Sequence, residues 1–143
     1  IIHPPSHFHF PSQVNVGESG LACRMLIPLL AMHNSRIEIH GIGTILNRTF
    51  HWFHEYLPQL GVQVESNEGK LPIKVKGPIK IKSLRVSGAD SSQYISGLLT
   101  LFAFHAKDEV RLFVYYLKSK PYVDITISLL KEFGCNVEEV AKN

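Results

Sequence analysis

The chain has 143 residues, 45% of them hydrophobic, enough for one good core or two small ones and too few for a large multidomain enzyme. Fifteen Lys and Arg against twelve Asp and Glu leave a net charge of +3, which excludes the dense basic patches of a dedicated nucleic-acid binder. The longest apolar run, Met25 to Met32, is interrupted by Pro28 and far too short to span a bilayer, and two cysteines, Cys23 and Cys135, cannot build a secreted disulfide framework. No membrane segment is expected, and the cytoplasm is the default compartment. The chain begins at Ile1 without a methionine and ends just after an alternating stretch, so we expect a piece of something longer.

In chain order, the first fifteen residues are proline-punctuated and extended. Leu21, Met25, Leu29 and Met32 then recur at helical spacing, predicting a helix over 20–32 with a kink or early stop at Pro28. Residues 36–40 alternate as a strand. A helix follows from about Arg48 to Leu60, with Phe50, Phe53, Leu57 and Leu60 on one face and Gly61 as its stop. Strands over 62–65 and 71–76 flank Ser66-Asn67-Glu68-Gly69, a hairpin turn. The order then begins again: a strand over 79–86, a helix over 92–103, a strand over 109–114, a helix over 121–133 stopped by Gly134, and a strand over 135–138.

The two passes align. Ile37 and Val110 are 73 residues apart, as are Gly61 and Gly134, and Leu60 to Glu65 resembles Phe133 to Glu138. A repeat of this length indicates a duplicated module rather than a solenoid. The expected fold is mixed α+β, two consecutive β-α-β-α-β-β units over 1–77 and 78–143, the second lacking its last strand and both belonging to one larger domain.

Helix starts offer unpaired N–H groups and partial positive charge, so they are ready anion sites. Gly17-Glu18-Ser19-Gly20 is a glycine-flanked loop at one start. Ser91-Ser92-Gln93 puts two hydroxyls and an amide at another. Ser119-Lys120-Pro121-Tyr122 supplies a cap, a first-turn proline and a cation, and Arg48 heads a fourth helix with a planar bidentate donor. These types suit an anionic, hydroxylated small molecule. Each has a plainer reading as well: Asp90-Ser91-Ser92 alone favours ordinary capping, a lone Gly-x-x-Gly loop reads as a turn, and Arg48 fits a surface charge. His3, His7 and His9, or His51 and His54, lack the Cys or carboxylate partners of a metal centre, so no metal is expected. Cys23 and Cys135 read as core thiols, and the Lys70 to Arg85 stretch, alternating charge with Ile and Val, reads as a solvated sheet face. No nucleophile elbow, phosphate-binding loop or dinucleotide fingerprint is present.

The motif order is more specific than any single motif. The series from Gly17 through Arg24, then Asn47-Arg48, then Ser91-Ser92-Gln93-Tyr94, then Ser119-Lys120-Pro121-Tyr122, resembles the 3-phosphoshikimate 1-carboxyvinyltransferase family (5-enolpyruvylshikimate-3-phosphate synthases) from Val16 onward. The resemblance implies an internal portion of the N-terminal half, with helices inside and sheets outside. It implies transfer of the enolpyruvyl group of phosphoenolpyruvate to the 5-hydroxyl of shikimate 3-phosphate, in the pathway to aromatic amino acids, with no cofactor. It implies that Ser91, Ser92, Gln93, Ser119 and Tyr122 hold shikimate 3-phosphate, that Gly20, Arg48 and Gln93 hold phosphoenolpyruvate, and that Arg24 supports the positive field. It further implies a monomeric full-length enzyme with small-molecule substrates, no nucleic acid and no membrane partner, and a fragment inactive alone. Glu18 and Leu21 depart from the family's usual Asn and Thr, which sets a negative charge beside an anion site, and Thr49 stands where Pro often follows the arginine. The alternatives are the related UDP-N-acetylglucosamine enolpyruvyl transferase, which the two serine motifs disfavour, and a non-catalytic binding module of the same fold.

Overall fold

The computed structural model describes residues 10–140. Its strands and α-helices run β1 (Gln13–Asn15), α1 (Gly20–Leu30), β2 (Arg36–His40), α2 (His51–Tyr56), β3 (Gln63–Asn67), β4 (Lys70–Lys76), β5 (Leu84–Ser87), α3 (Ser92–His105), β6 (Leu112–Tyr115) and α4 (Lys120–Glu132). Short 3-10 turns at Gly43–Asn47 and Pro58–Leu60 flank α2. The first four strands form one sheet in the order β1-β2-β4-β3, with β1 and β2 parallel and the other pairs antiparallel. Among the described residues, a second sheet holds only the parallel pair β5-β6.

Local chemistry explains these elements. Ser19 caps α1, its Oγ accepting from the Ala22 N–H at 3.1 Å. Pro28 lies within α1, which ends two residues later. That proline has no N–H for the Arg24 carbonyl, and α3 comes close at this point: a Cβ on Gly97 would sit 3.0 Å from that oxygen. Glu68 and Gly69 both have positive φ, 50° and 74°, the left-handed pair that a two-residue hairpin turn demands. Alternation along β4 buries Leu71, Ile73 and Val75. These side chains meet Cys23 and Ile27 of α1, Trp52 and Phe53 of α2, and Tyr94, Ile95 and Leu98 of α3 in one continuous core. Each fully buried Ile or Leu contributes roughly 1.5–3 kcal/mol.

Trp52 and Tyr56 join the two halves. The Trp52 ring stacks on Tyr94 at 4.6 Å and 5°, and its Nε1 donates to the Ser87 carbonyl at 3.0 Å. The Ser87 N–H donates to Tyr56 Oη, which also meets Tyr115 Oη, each at 3.1 Å.

Several expectations are corrected. Arg48 does not head a helix: it is extended (φ −87°, ψ 146°) at the end of the Gly43–Asn47 turn, its N–H bonded to the Ile45 carbonyl at 3.0 Å. Phe50 is non-helical as well, its N–H held by Gly69 at 2.7 Å, so α2 starts only at His51; Pro58 then tightens the chain into a 3-10 turn ended by Gly61 at φ 82°. The strand expected from Ile79 begins only at Leu84, because the Ile79 and Lys80 N–H groups bond instead to Ala31 and Leu60, at 2.9 and 2.8 Å. No strand forms over 135–138. The Cys135 N–H closes the end of α4 on Leu130 at 2.9 Å, and none of the described residues offers that stretch a partner strand. The His3, His7 and His9 cluster lies outside the described residues.

Candidate functional site: two arginines over a glycine

The site begins with Gly20, the first residue of α1. A Cβ there would lie 2.7 Å from Arg24 Nη1 and 3.1 Å from Arg48 Nη1, so both guanidiniums crowd the same face of this residue. A side chain here would have to push the guanidinium ends aside, so glycine leaves both of them room to approach. Arg24 Nη1 donates to the Gly20 carbonyl at 3.2 Å and to Gln93 Oε1 at 3.1 Å, which sets the starts of α1 and α3 side by side. Its guanidinium carbon stands 5.2 Å from the ring centres of both Phe50 and Tyr94, an arrangement that fixes its plane by cation–π attraction. Arg24 Nε is buried and has no hydrogen-bond partner among the described residues. Burial pushes the Tyr94 phenol up, against the lowering pull of Arg24.

Two cations on one glycine repel each other, and an anion between them relieves that repulsion. Among the described residues neither Arg24 nor Arg48 has a carboxylate ion-pair partner. The nearest acid in sequence is turned away: Glu18 Oε1 accepts from the Thr44 N–H at 2.8 Å. The negative charge expected beside the anion site is therefore committed to the adjoining turn.

Gly20, Arg24, Arg48 and Gln93, four residues singled out from the sequence, thus meet at one place. Ser91 sits one residue before Ser92 and caps α3, its Oγ accepting from the Gln93 N–H at 3.2 Å; Ser92 is 7% exposed. The α4 start is less built. Ser119 makes no side-chain capping bond and is itself left-handed (φ 54°, ψ 43°), a correction to its expected role as a cap, and Tyr122 is 68% exposed. Lys120 pairs with Asp124 at 2.5 Å and with Glu139 at 3.0 Å, which raises its pKa. Among the described residues no hydrogen bond links Ser119 or Tyr122 to the arginine pair. A Ser96–Thr126 hydroxyl contact at 2.8 Å joins α4 to α3.

The remaining candidates are structural. Cys23 is fully buried and its thiol is pushed up to about 12 by that burial. His54 Nε2 meets Ser66 Oγ at 2.6 Å, its pKa lowered by burial and then by His51; His51 packs against Gly69. No group of three metal-ligating side chains gathers among the described residues. Sequence reasoning missed Phe50 and Tyr94 as the walls around Arg24, and missed the Glu18–Thr44 bond. The aromatics lie 26 and 70 residues from Arg24, and helical spacing marked them only as core.

A family model for EPSP synthase (3-phosphoshikimate 1-carboxyvinyltransferase) matches residues 1–143. The chain belongs to the EPSP synthase family. It is 31% identical over 125 residues to the 3-phosphoshikimate 1-carboxyvinyltransferase of Clostridium novyi (strain NT), covering 87% of this chain and 29% of that protein. It is 33% identical over 141 residues to that of Buchnera aphidicola subsp. Acyrthosiphon pisum (strain Tuc7), covering 97% and 33%. The fold is that of the EPSP synthase of Acinetobacter baumannii, with a TM-score of 0.73 at 23% identity over 90% of this chain and 28% of that one. The chain thus spans about a third of the length of these EPSP synthases. No helix of the described residues is long and apolar enough to cross a membrane.

Proposed function

We propose that this chain is the substrate-binding portion of an enzyme that moves the enolpyruvyl group of phosphoenolpyruvate to the 5-hydroxyl of shikimate 3-phosphate. In that reaction the hydroxyl oxygen loses its proton and bonds to C2 of phosphoenolpyruvate while C3 gains a proton. The C2–O bond to the phosphate then breaks, phosphate leaves, and C3 gives up a proton to restore the double bond. The observation that carries this reading is the convergence of Arg24 and Arg48 on Gly20, with Gln93 bonded to Arg24. Both substrates are anions, and preset cations stabilise charge without reorganising as it develops. Gly20, Arg48 and Gln93 hold phosphoenolpyruvate, and Arg24 supports them from between its two rings. Ser91, Ser92, Gln93, Ser119 and Tyr122 hold shikimate 3-phosphate. Acid and base groups come from the rest of the full-length enzyme, so this portion alone binds weakly and does not turn over. The full-length enzyme works as a monomer in the cytoplasm, without nucleic acid or membrane partners. Residues 1–77 and 78–143 are two copies of one ancestral unit, a reading supported by the parallel pairs β1-β2 and β5-β6, each bridged by a helix.

The test is a titration of the 143-residue chain followed by NMR. Shikimate 3-phosphate should perturb the Ser91 to Gln93 amides, and Ser92→Ala should weaken that response. Arg48→Ala should weaken phosphoenolpyruvate, added with saturating shikimate 3-phosphate, by roughly ten- to a hundred-fold while leaving the first ligand nearly unchanged. An identical shikimate 3-phosphate response in wild type and Ser92→Ala, or equal loss of both ligands in Arg48→Ala, would refute the assignment.

A further inference from the structure

We infer that Glu18 is a positioning residue, whose carboxylate fixes the Arg48 guanidinium against Gly20. The inference rests on the anion-site reading above but is argued from contacts of its own. Arg48 is carried by the Gly43–Asn47 turn, which lacks any side-chain cap from its own flanking residue Ile42. Glu18 supplies that cap from the glycine loop: its Oε1 accepts the Thr44 N–H at 2.8 Å. Beside it, the Ile42 N–H donates to the Gly17 carbonyl at 3.0 Å, so loop and turn are joined at two points. The fit leaves no slack. Gly43 is left-handed (φ +64°), and a Cβ there would sit 1.5 Å from Glu18 Oε1. Gly41 is closed in likewise, its Cβ position 2.9 Å from the Gly17 carbonyl and 2.6 Å from the Ile45 side chain.

Four residues beyond Thr44 the turn ends at Arg48, whose Nη1 reaches the face of Gly20, two residues beyond Glu18. Loop and turn thus make a closed circuit, with Glu18–Thr44 at one end and Gly20–Arg48 at the other. An acceptor on a side chain long enough to reach Thr44 is what the circuit needs. The Glu18 carboxylate is directed at the Thr44 N–H, and among the described residues it makes no ion pair with Arg24 or Arg48.

The test uses Glu18→Gln, Glu18→Asp and Glu18→Ala in the 143-residue chain. Glutamine keeps the acceptor and the reach, aspartate keeps the charge but loses the reach, and alanine loses both. Without ligand, the Thr44 amide should exchange about ten-fold faster in the Asp and Ala variants, and the Gly20–Arg48 cross-relaxation signal should be lost. Both should persist in Glu18→Gln. Phosphoenolpyruvate binding with shikimate 3-phosphate present should weaken about ten-fold in Asp and Ala and within about two-fold in Gln. Shikimate 3-phosphate alone should bind all four proteins alike, a split that general loosening would not produce. Retention of the Gly20–Arg48 signal in Glu18→Ala, or its loss in Glu18→Gln, overturns the inference. If the wild type binds neither ligand, the functional reading fails instead, and the two ligand-free signals still decide the role of Glu18.

Discussion

The two halves of the molecule start from the same element order and end in different states of burial. In the first, helix α2 puts Trp52, Phe53 and Tyr56 at 2% exposure or less, beneath a four-stranded sheet. In the second, α4 buries Val123 and Leu130 but leaves Tyr122, Ile125, Leu129 and Phe133 between 49% and 76% exposed, beside a sheet of two strands. Helical periodicity is present in both. What differs, among the described residues, is whether a neighbouring element receives each face, a lesson that carries over to the site. The starts of α1 and α3 are locked together through Arg24 and Gln93, whereas that of α4 has the right residue types without the contacts.

The largest expected effect separates the halves most clearly. Trp52→Ala removes a ring stacked on Tyr94 and the donor to Ser87, so it should cost about 3–5 kcal/mol in chemical denaturation. Phe133→Ala, at 76% exposure, should stay within about 0.5 kcal/mol. Equal losses would mean that the exposed face of α4 is covered in solution. A smaller effect tests the seam between the halves. Tyr56→Phe leaves the ring packed but removes the acceptor for the Ser87 N–H, a loss of about 1–2 kcal/mol. The Tyr56 phenol is pushed up in pKa by burial and by Tyr115, consistent with a hydroxyl held neutral in that network.

Much of this organisation was legible in the sequence, for identifiable reasons. Short-range devices read correctly: the β3–β4 hairpin turn and the Gly61 and Gly134 stops depend on neighbours within a few residues. Gly20, Arg24, Arg48 and Gln93 could be singled out because motif order brings them forward together. Long-range competition for backbone groups was not legible. Periodicity could not show that Ala31 and Leu60 would claim the N–H groups of Ile79 and Lys80, nor that Gly69 would hold Phe50 out of a helix and leave Arg48 extended. The charge of Glu18 was visible and its direction was not, since Thr44 lies 26 residues away.

The two cysteines, one in each half, give the finest comparison. Cys23 is fully buried, and burial pushes its thiol from 9.0 up to about 12, whereas Cys135 is partly exposed. A thiol-labelling reagent at mildly alkaline pH should therefore modify Cys135 promptly and reach Cys23 only on unfolding. Linkage gives the sign of the accompanying pH effect. Above pH 9 the unfolded chain releases the Cys23 proton while the folded chain retains it, so this thiol's contribution to stability is intact below that pH and declines as pH rises toward 12. In Cys23→Ala the packing loss appears at all pH values, but the part of the alkaline decline due to this thiol should vanish. Rapid labelling of Cys23 under native conditions would show that α1 opens locally, and the built half of the site would then be the more mobile one.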